Sequence, residues 1–313
     1  MTTRFSHHRQ TRGTALIAVL WLIAILSMAC MATIRVIQFD LEISGSKIHG
    51  STARQLAEKG IALGSNPLVK RSDPILHHQD PNGDRFDVSI ASEGGRLNLN
   101  YLVMGEDKSL LRSLFIDWGL SLEESQALCD ALADWVDTDD QTALNGAEND
   151  YYTGIGRLNQ PFNRPFYSLE EARLVRSMDK LETVHPNWRD AFTLWSSGKL
   201  DINEAPAELI AAAAEVSVDS ARLIPDQVKG PDGIRDTDDD VPFSSASTAL
   251  QTIGVDVQNR SDITGRFTTN EATTRIESTG STPGAVRRIT LILRNRTGQP
   301  AILDRTEAIL PTP

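Results

Sequence analysis

The residues with most chemical potential lie between Glu106 and Tyr152, where twelve acidic side chains stand against only Lys108 and Arg112 and account for nearly all of the net charge of -11. The densest part is Asp134-Trp135-Val136-Asp137-Thr138-Asp139-Asp140, followed from Gly146 by Gly-Ala-Glu148-Asn149-Asp150-Tyr151-Tyr152. An apolar-periodic helix precedes the run, so the carboxylates crowd at its C-terminal end, where the helix dipole adds to their mutual repulsion. Something positive belongs among them. Hard oxygen ligands suit Ca²⁺, which takes six to eight oxygens at about 2.3–2.6 Å in flexible geometry, better than Mg²⁺ with its strict octahedron. The alternative is a solvated acidic loop. The ordered D-x-[DN]-x-[DN]-G spacing is missing, so this is not an EF-hand.

A second acidic loop, Gly230 to Asp240, places Asp232, Asp236, Asp238 and Asp240 together with Asp239 between Gly and Pro. It fits either a second calcium loop or an exposed turn-rich connection. Asp80-Pro81-Asn82-Gly83-Asp84 reads as a hairpin turn. His77-His78 reads as a solvated pair in a polar loop. No CxxC, HExxH, GxSxG or Walker A pattern occurs. Asp137 with Glu148 could serve as the acid–base pair of a membrane-anchored periplasmic hydrolase, since two carboxylates suffice for glycoside chemistry. An acidic chain of pI near 5.0 lacks the basic surface that sequence-independent nucleic-acid binding needs. The DINEAPAELIAAAAEV stretch has a helix-hairpin-helix flavour, but without the Gly-x-Gly that meets phosphate. No nucleic-acid partner is expected. Cys30 and Cys129 lie far apart in sequence and are expected to fall in different phases, so no disulfide is expected.

The elements that must position these residues begin with Thr14 to Ile34, 21 residues without a charge. As a helix the stretch measures roughly 32 Å and can cross a bilayer core. Arg4, Arg9 and Arg12 precede it, which orients the N-terminus toward the cytoplasm. Residues 35–64 keep helical spacing as an amphipathic extension, with a kink expected at Gly45 or Gly50. With 313 residues, about 250 of them beyond this helix, two compact units are expected. Residues 65–100 and 240–295 read as a small α+β unit, with period-two strands over Arg85–Ile90, Arg96–Asn100, Arg275–Ser278 and Val286–Leu293. Residues 101–239 read as an inserted helical domain. Its helices open at a Ser121/Glu124 capping box, at Ser168/Glu171 and at Pro206. Residues 296–313 read as a flexible polar tail.

The order basic leader, Gly13, long apolar helix resembles a prepilin-type signal, in which a membrane peptidase cuts after the glycine, so residues 1–13 would be a leader and Thr14 the first mature residue. Together with GGRLNLN, ALADWVDTDD, GAENDYY, Asn163-Arg164-Pro165-Phe166, SLEEARLV and DINEAPAELI, the chain resembles the K-type minor pseudopilins of type II secretion systems over residues 12 to about 295. The resemblance implies an α+β fold: a pilin-like long N-terminal helix packed on a small antiparallel sheet, with a large inserted all-α domain. It implies bound calcium, with Asp137, Asp139, Asp140, Glu148 and Asp150 matching the family's residue types and Asn149 departing from them. It implies a single-pass inner-membrane protein with a periplasmic body. The partners it implies are the I- and J-type minor pseudopilins, the major pseudopilin and a prepilin peptidase. Major pseudopilins carry Glu at the fifth mature position, where it pairs with a neighbour's N-terminal amine; here that position is Ala18. A buried carboxylate without a partner is costly, and a subunit with nothing ahead of it can dispense with the acid. A type IV pilus minor pilin is the remaining alternative.

Overall fold

The computed structural model describes residues 12–312. The leader expected over residues 1–13 therefore lies outside the described residues, apart from Arg12 and Gly13, which open the first helix. In chain order the elements are α1 (Arg12–Ser65), β1 (His77–Gln79), β2 (Arg85–Ser92), β3 (Leu97–Asn98), α2 (Leu99–Met104), α3 (Ser109–Asp117), α4 (Leu122–Val136), α5 (Asn149–Gly154), α6 (Met178–Val184), β4 (Phe192–Thr193), β5 (Leu200–Asp201), α7 (Ala207–Ala214), α8 (Val218–Ala221), α9 (Leu223–Val228), α10 (Ala246–Thr252), α11 (Ser261–Thr264), β6 (Phe267–Thr268), β7 (Thr273–Thr282), β8 (Ala285–Arg294) and β9 (Ala301–Leu310). One antiparallel sheet runs β1-β2-β7-β8-β9. Everything between β2 and β7 is a mainly helical insertion.

The helix α1 is unbroken through Gly45 and Gly50, so no kink of the expected kind interrupts its hydrogen bonding. Its apolar residues from Leu16 to Ile48 are exposed, and the span carries enough continuous hydrophobicity to cross a membrane. Burial begins at Gly50, and Ala53, Ala57, Gly60, Ile61 and Gly64 then form a stripe of mostly small residues at helical spacing against the sheet. The approach is close. A Cβ on Gly280 would lie 2.0 Å from the Ala53 carbonyl oxygen, and one on Gly60 would lie 2.1 Å from Ser278 Oγ. The sheet face beneath is the alternate set Phe86, Val88, Ile90, Ile276, Ile289, Leu291 and Leu293, which the strand period of two points toward α1.

The polypeptide leaves α1 under the control of Arg296. Its Nε donates to the Gly64 carbonyl, one of those left unmatched at the helix end, and its Nη2 to those of Asn66 and Val69 in the turn that follows, each at 2.7 Å. Arg296→Ala should cost about 2 kcal/mol, the range for hydrogen bonds to a charged donor. A lower urea midpoint with an unchanged slope would show it.

The largest departure from expectation is the C-terminal segment. Residues 296–313, expected to be a flexible tail, contain the ten-residue edge strand β9, paired antiparallel with β8 from Val286↔Leu310 to Arg294↔Ala301. Most of its side chains are exposed, so the hydrophobic alternation that announces a half-buried strand is weak there. Backbone pairing holds it, and its Glu307 meets Arg54 of α1 at 3.1 Å. Pro300 and Pro311 bracket the strand instead of breaking it.

Domain boundaries also shift. Arg96–Asn100 is not a strand of the main sheet; only Leu97–Asn98 is extended, and it pairs parallel with β4. Asn98 then caps α2 by accepting from the Tyr101 amide at 3.1 Å. Residues 240–272, assigned from sequence to the sheet unit, pack in the helical one: Phe243, Ala249, Leu250, Ile253, Ile263 and Phe267 join its core. The helical unit thus spans 93–272 between two sheet strands, with a core separate from that under α1. His77 and His78 belong to β1 and not to a loop; His77 Nδ1 lies 3.2 Å from Asp87 and His78 stacks on Phe86.

The candidate metal centre

Helix α4 begins with the capping box: Ser121 accepts from the Glu124 amide while Glu124 accepts from that of Ser121. It buries Leu128, Leu132 and Trp135 on one face, and Asp134 is carried inward with them to 1% exposure. Three residues later Asp137 caps the helix end, so i and i+3 place the two carboxylates on one side. The loop that follows folds back over them. Asp134 Oδ2 accepts from the Ala147 amide at 2.8 Å and from the Ala143 amide at 3.2 Å. A Cβ on Gly146 would sit 1.9 Å from Asp134 Oδ2, so only glycine permits this wrap. Arg176 fastens the loop from outside by donating to the Gly146 carbonyl at 2.8 Å.

The result brings Glu148, 3% exposed, onto Asp134 and Asp137, with one carboxylate oxygen of each within 4.8 Å of the others. Glu148 stands at the N-cap position of α5 yet caps nothing. Both its oxygens and Asp137 Oδ1 are buried and accept no hydrogen bond. Leaving buried acceptors unmatched is costly, and for charged groups more so. Burial and then the neighbouring aspartates push Glu148 up to about 7 and Asp137 up to about 6, and burial raises Asp134 as well. A divalent cation would satisfy all of these oxygens at once. The donor set is hard carboxylate oxygen, which suits Ca²⁺.

Of the residues singled out in sequence, Asp137 and Glu148 lie in this cluster, whereas Asp139, Asp140 and Asp150 are exposed beside it. Asp139 instead accepts from the Gln141 amide at 2.8 Å. Asp134 was not among the ligand candidates, although its i, i+3 spacing to Asp137 was the available signal. One neutral oxygen near the acidic loop was also missed: Asn163 Oδ1 is buried without a partner, and Asn163 Nδ2 lies 3.5 Å from the Asp139 carbonyl. Ser168/Glu171 does not open an α-helix. Ser168 caps a 3-10 turn over Leu169–Leu174, while Glu171 accepts from Trp135 Nε1 at 2.9 Å and from Arg164 at 3.1 Å.

The second acidic loop is built differently. Arg71 Nε lies 2.9 Å from Asp236 Oδ1, and Arg235 stands between Glu204, Asp236 and Asp240. Asp238 accepts from Ser72 Oγ at 3.1 Å, and Asp232 is exposed. The positive charge this loop requires comes from two arginines of the chain itself.

The centre falls within the segment, residues 95–183, that matches the family model described as Type II secretion system (T2SS), protein K. The chain is 26% identical over 261 residues to the type II secretion system protein K of Pseudomonas aeruginosa, covering 74% of this chain and 76% of that one. It is 28% identical over 203 residues to the protein of the same name from Klebsiella pneumoniae, covering 55% and 60%. In fold it is similar to a chain of the GspK-GspI-GspJ complex from enterotoxigenic Escherichia coli, with a TM-score of 0.61, 13% identity, and coverage of 88% of this chain and 99% of that one. A long exposed apolar helix, an antiparallel sheet and a helical insertion that buries a carboxylate cluster thus coincide with matches in sequence and in fold, and the chain is similar throughout to protein K of type II secretion systems, the K-type minor pseudopilins.

Proposed function

We propose that this minor pseudopilin, cleaved after Gly13 by a prepilin peptidase and anchored in the inner membrane by α1, forms with I- and J-type partners the periplasmic tip on which major pseudopilins assemble. The observation that carries this reading is the helical unit of residues 93–272, inserted between adjacent sheet strands β2 and β7. Subunits within a helical filament are packed on all sides, and so much added bulk is accommodated at an end. Ala18 supports the same end, because without the membrane carboxylate the chain has nothing to offer the amine of a subunit ahead of it. The structural neighbour was solved in complex as GspK-GspI-GspJ, which supports the choice of partners. Calcium held by Asp134, Asp137 and Glu148 would brace the helical unit. The matches to protein K do not favour the hydrolase reading of Asp137 and Glu148, nor that of a type IV pilus minor pilin.

The test is co-expression with the I- and J-type partners and the peptidase. The expected product begins at Thr14 and elutes as a one-to-one-to-one complex, and immunogold labelling marks one end of each filament. Label at regular intervals along filaments, or an intact Met1, would refute the proposal.

A further inference from the structure

A cleft that nothing above explains lies on the helical unit, about 770 Å³ in volume and lined by Leu114, Trp118, His185, Ala211, Val216 and Val218 among others. That size falls within the roughly 300–1,000 Å³ typical of ligand sites. One wall is a stacked pair of rings, Trp118 on His185, with centroids 4.2 Å apart and an interplanar angle of 5°. Three helices end at its rim, α3 at Asp117, α6 at Val184 with His185 as its cap, and α7 at Ala214 with Glu215 as its cap. Helix C-terminal ends carry partial negative charge and favour cations. Of the helices that start there, α8 has four residues and its Ser220 amide donates to the Ser217 side chain, while α7 already carries Glu208 in its first turn.

The side-chain charge has the same sign. Asp117, Glu208 and Glu215 line the cleft and no Lys or Arg does. Glu215 is neutralised by Arg260 at 2.7 Å and Arg266 at 3.1 Å. Asp117 and Glu208 make no ion pair among the described residues and are exposed. An apolar floor of Leu114, Ala211 and Val216 thus lies under two unpaired carboxylates and three negative helix ends. The geometry points to an extended peptide segment of another protein as occupant, with one apolar side chain seated on the floor and an arginine or lysine on either side of it. Its backbone and basic groups face the rim, and neither depends on what the sheet or α1 does in a filament.

The test uses the full chain in detergent and isothermal titration calorimetry with three acetylated, amidated peptides, Gly-Arg-Leu-Arg-Gly, Gly-Arg-Gly-Arg-Gly and Gly-Glu-Leu-Glu-Gly. The first should bind saturably below about 1 mM and weaken as salt rises, since rim charges are screened. The other two should bind at least about tenfold more weakly. Asp117→Asn with Glu208→Gln, both exposed and near-isosteric, should weaken the first peptide at least about tenfold with an unchanged melting temperature, and Val216→Asp should also weaken it by removing the apolar floor. No binding of Gly-Arg-Leu-Arg-Gly, equal binding of all three, or full binding by the double variant overturns the proposal. So does a change of oligomeric state in the double variant without peptide binding, which would assign the cleft to a second copy of the chain.

Discussion

Removing divalent metal from the full chain at about pH 8 should lower its melting temperature by about 5–10 °C, and the loss should shrink toward about pH 5. A ligand that binds only the folded state stabilises by RT ln(1 + [L]/Kd), about 2.7 kcal/mol at a hundredfold excess, which in a body of this size is worth about 2–4 °C per kcal/mol. The pH dependence follows from the centre's carboxyl groups. Glu148 is pushed up to about 7 and Asp137 to about 6, in both cases mainly by burial. Without metal the folded state therefore binds protons more tightly than the unfolded chain. Its stability is fullest below the ordinary carboxylate range and declines as pH rises through about 6–7. With calcium the order reverses, because the ligands must be deprotonated and protons compete with the ion. Two families of melting curves, metal-depleted and calcium-loaded, should diverge as pH rises.

Asp137→Asn with Glu148→Gln separates the metal from the loop. It removes the repulsion that the ion would otherwise offset, so the metal-free variant should melt no lower than the metal-free wild type and should show no response to calcium. Asp134→Asn should behave differently. Its carboxylate also accepts the Ala143 and Ala147 amides, so the variant should be less stable even without metal. Coincident curves for the wild type with and without calcium would show that the centre holds no ion under these conditions.

What was legible in the sequence divides along physical lines. The membrane helix, the capping box at Ser121 and the strands β2, β7 and β8 announce themselves because periodicity and cap chemistry are local. The strand β9 does not, because an exposed edge strand is held by backbone bonds to β8 and by ion pairs to α1 that no alternation reports. The acid-rich run was visible, but which acids face inward depends on the loop from Thr138 to Ala147 folding back over α4, and the sign of that fold was the glycine at 146. Asp134 was hidden by its place inside an apolar helix face, where an acid looks like an interruption and not a ligand. Of the arginines that neutralise the second acidic loop, Arg235 lies within it, but Arg71 pairs with Asp236 across 165 residues, which leaves no trace in spacing.

Glu93→Ala should cost roughly 3 kcal/mol and uncouple the helical unit from the sheet, because it removes two charge-assisted hydrogen bonds and leaves the partly buried Arg275 with Glu277 alone as counter-ion. Glu93 is fully buried at the point where the chain leaves β2. Arg275 of β7 donates to it through Nε at 2.6 Å and Nη2 at 2.9 Å, while Thr193 of β4 donates its hydroxyl to the same carboxylate. One carboxylate thus ties a sheet strand to a strand of the helical unit, beside the Gly94-Gly95 turn, where a Cβ on either glycine would press on Asp201, Glu204 or Glu271 at about the closest contact tolerated. The hydrophobic cores lie on either side of this tie and do not merge. Truncation should therefore split thermal unfolding into two transitions and open residues 91–95 to limited proteolysis. Glu93→Gln, which keeps the volume and one acceptor but loses the charge, should fall between. In the proposed filament the tie carries any load passing from the membrane-anchored sheet to the helical unit, so the Ala variant should still insert through α1 yet lose the I- and J-type partners if these grip both units. A single transition at the wild-type temperature in Glu93→Ala would show that the two cores are coupled elsewhere.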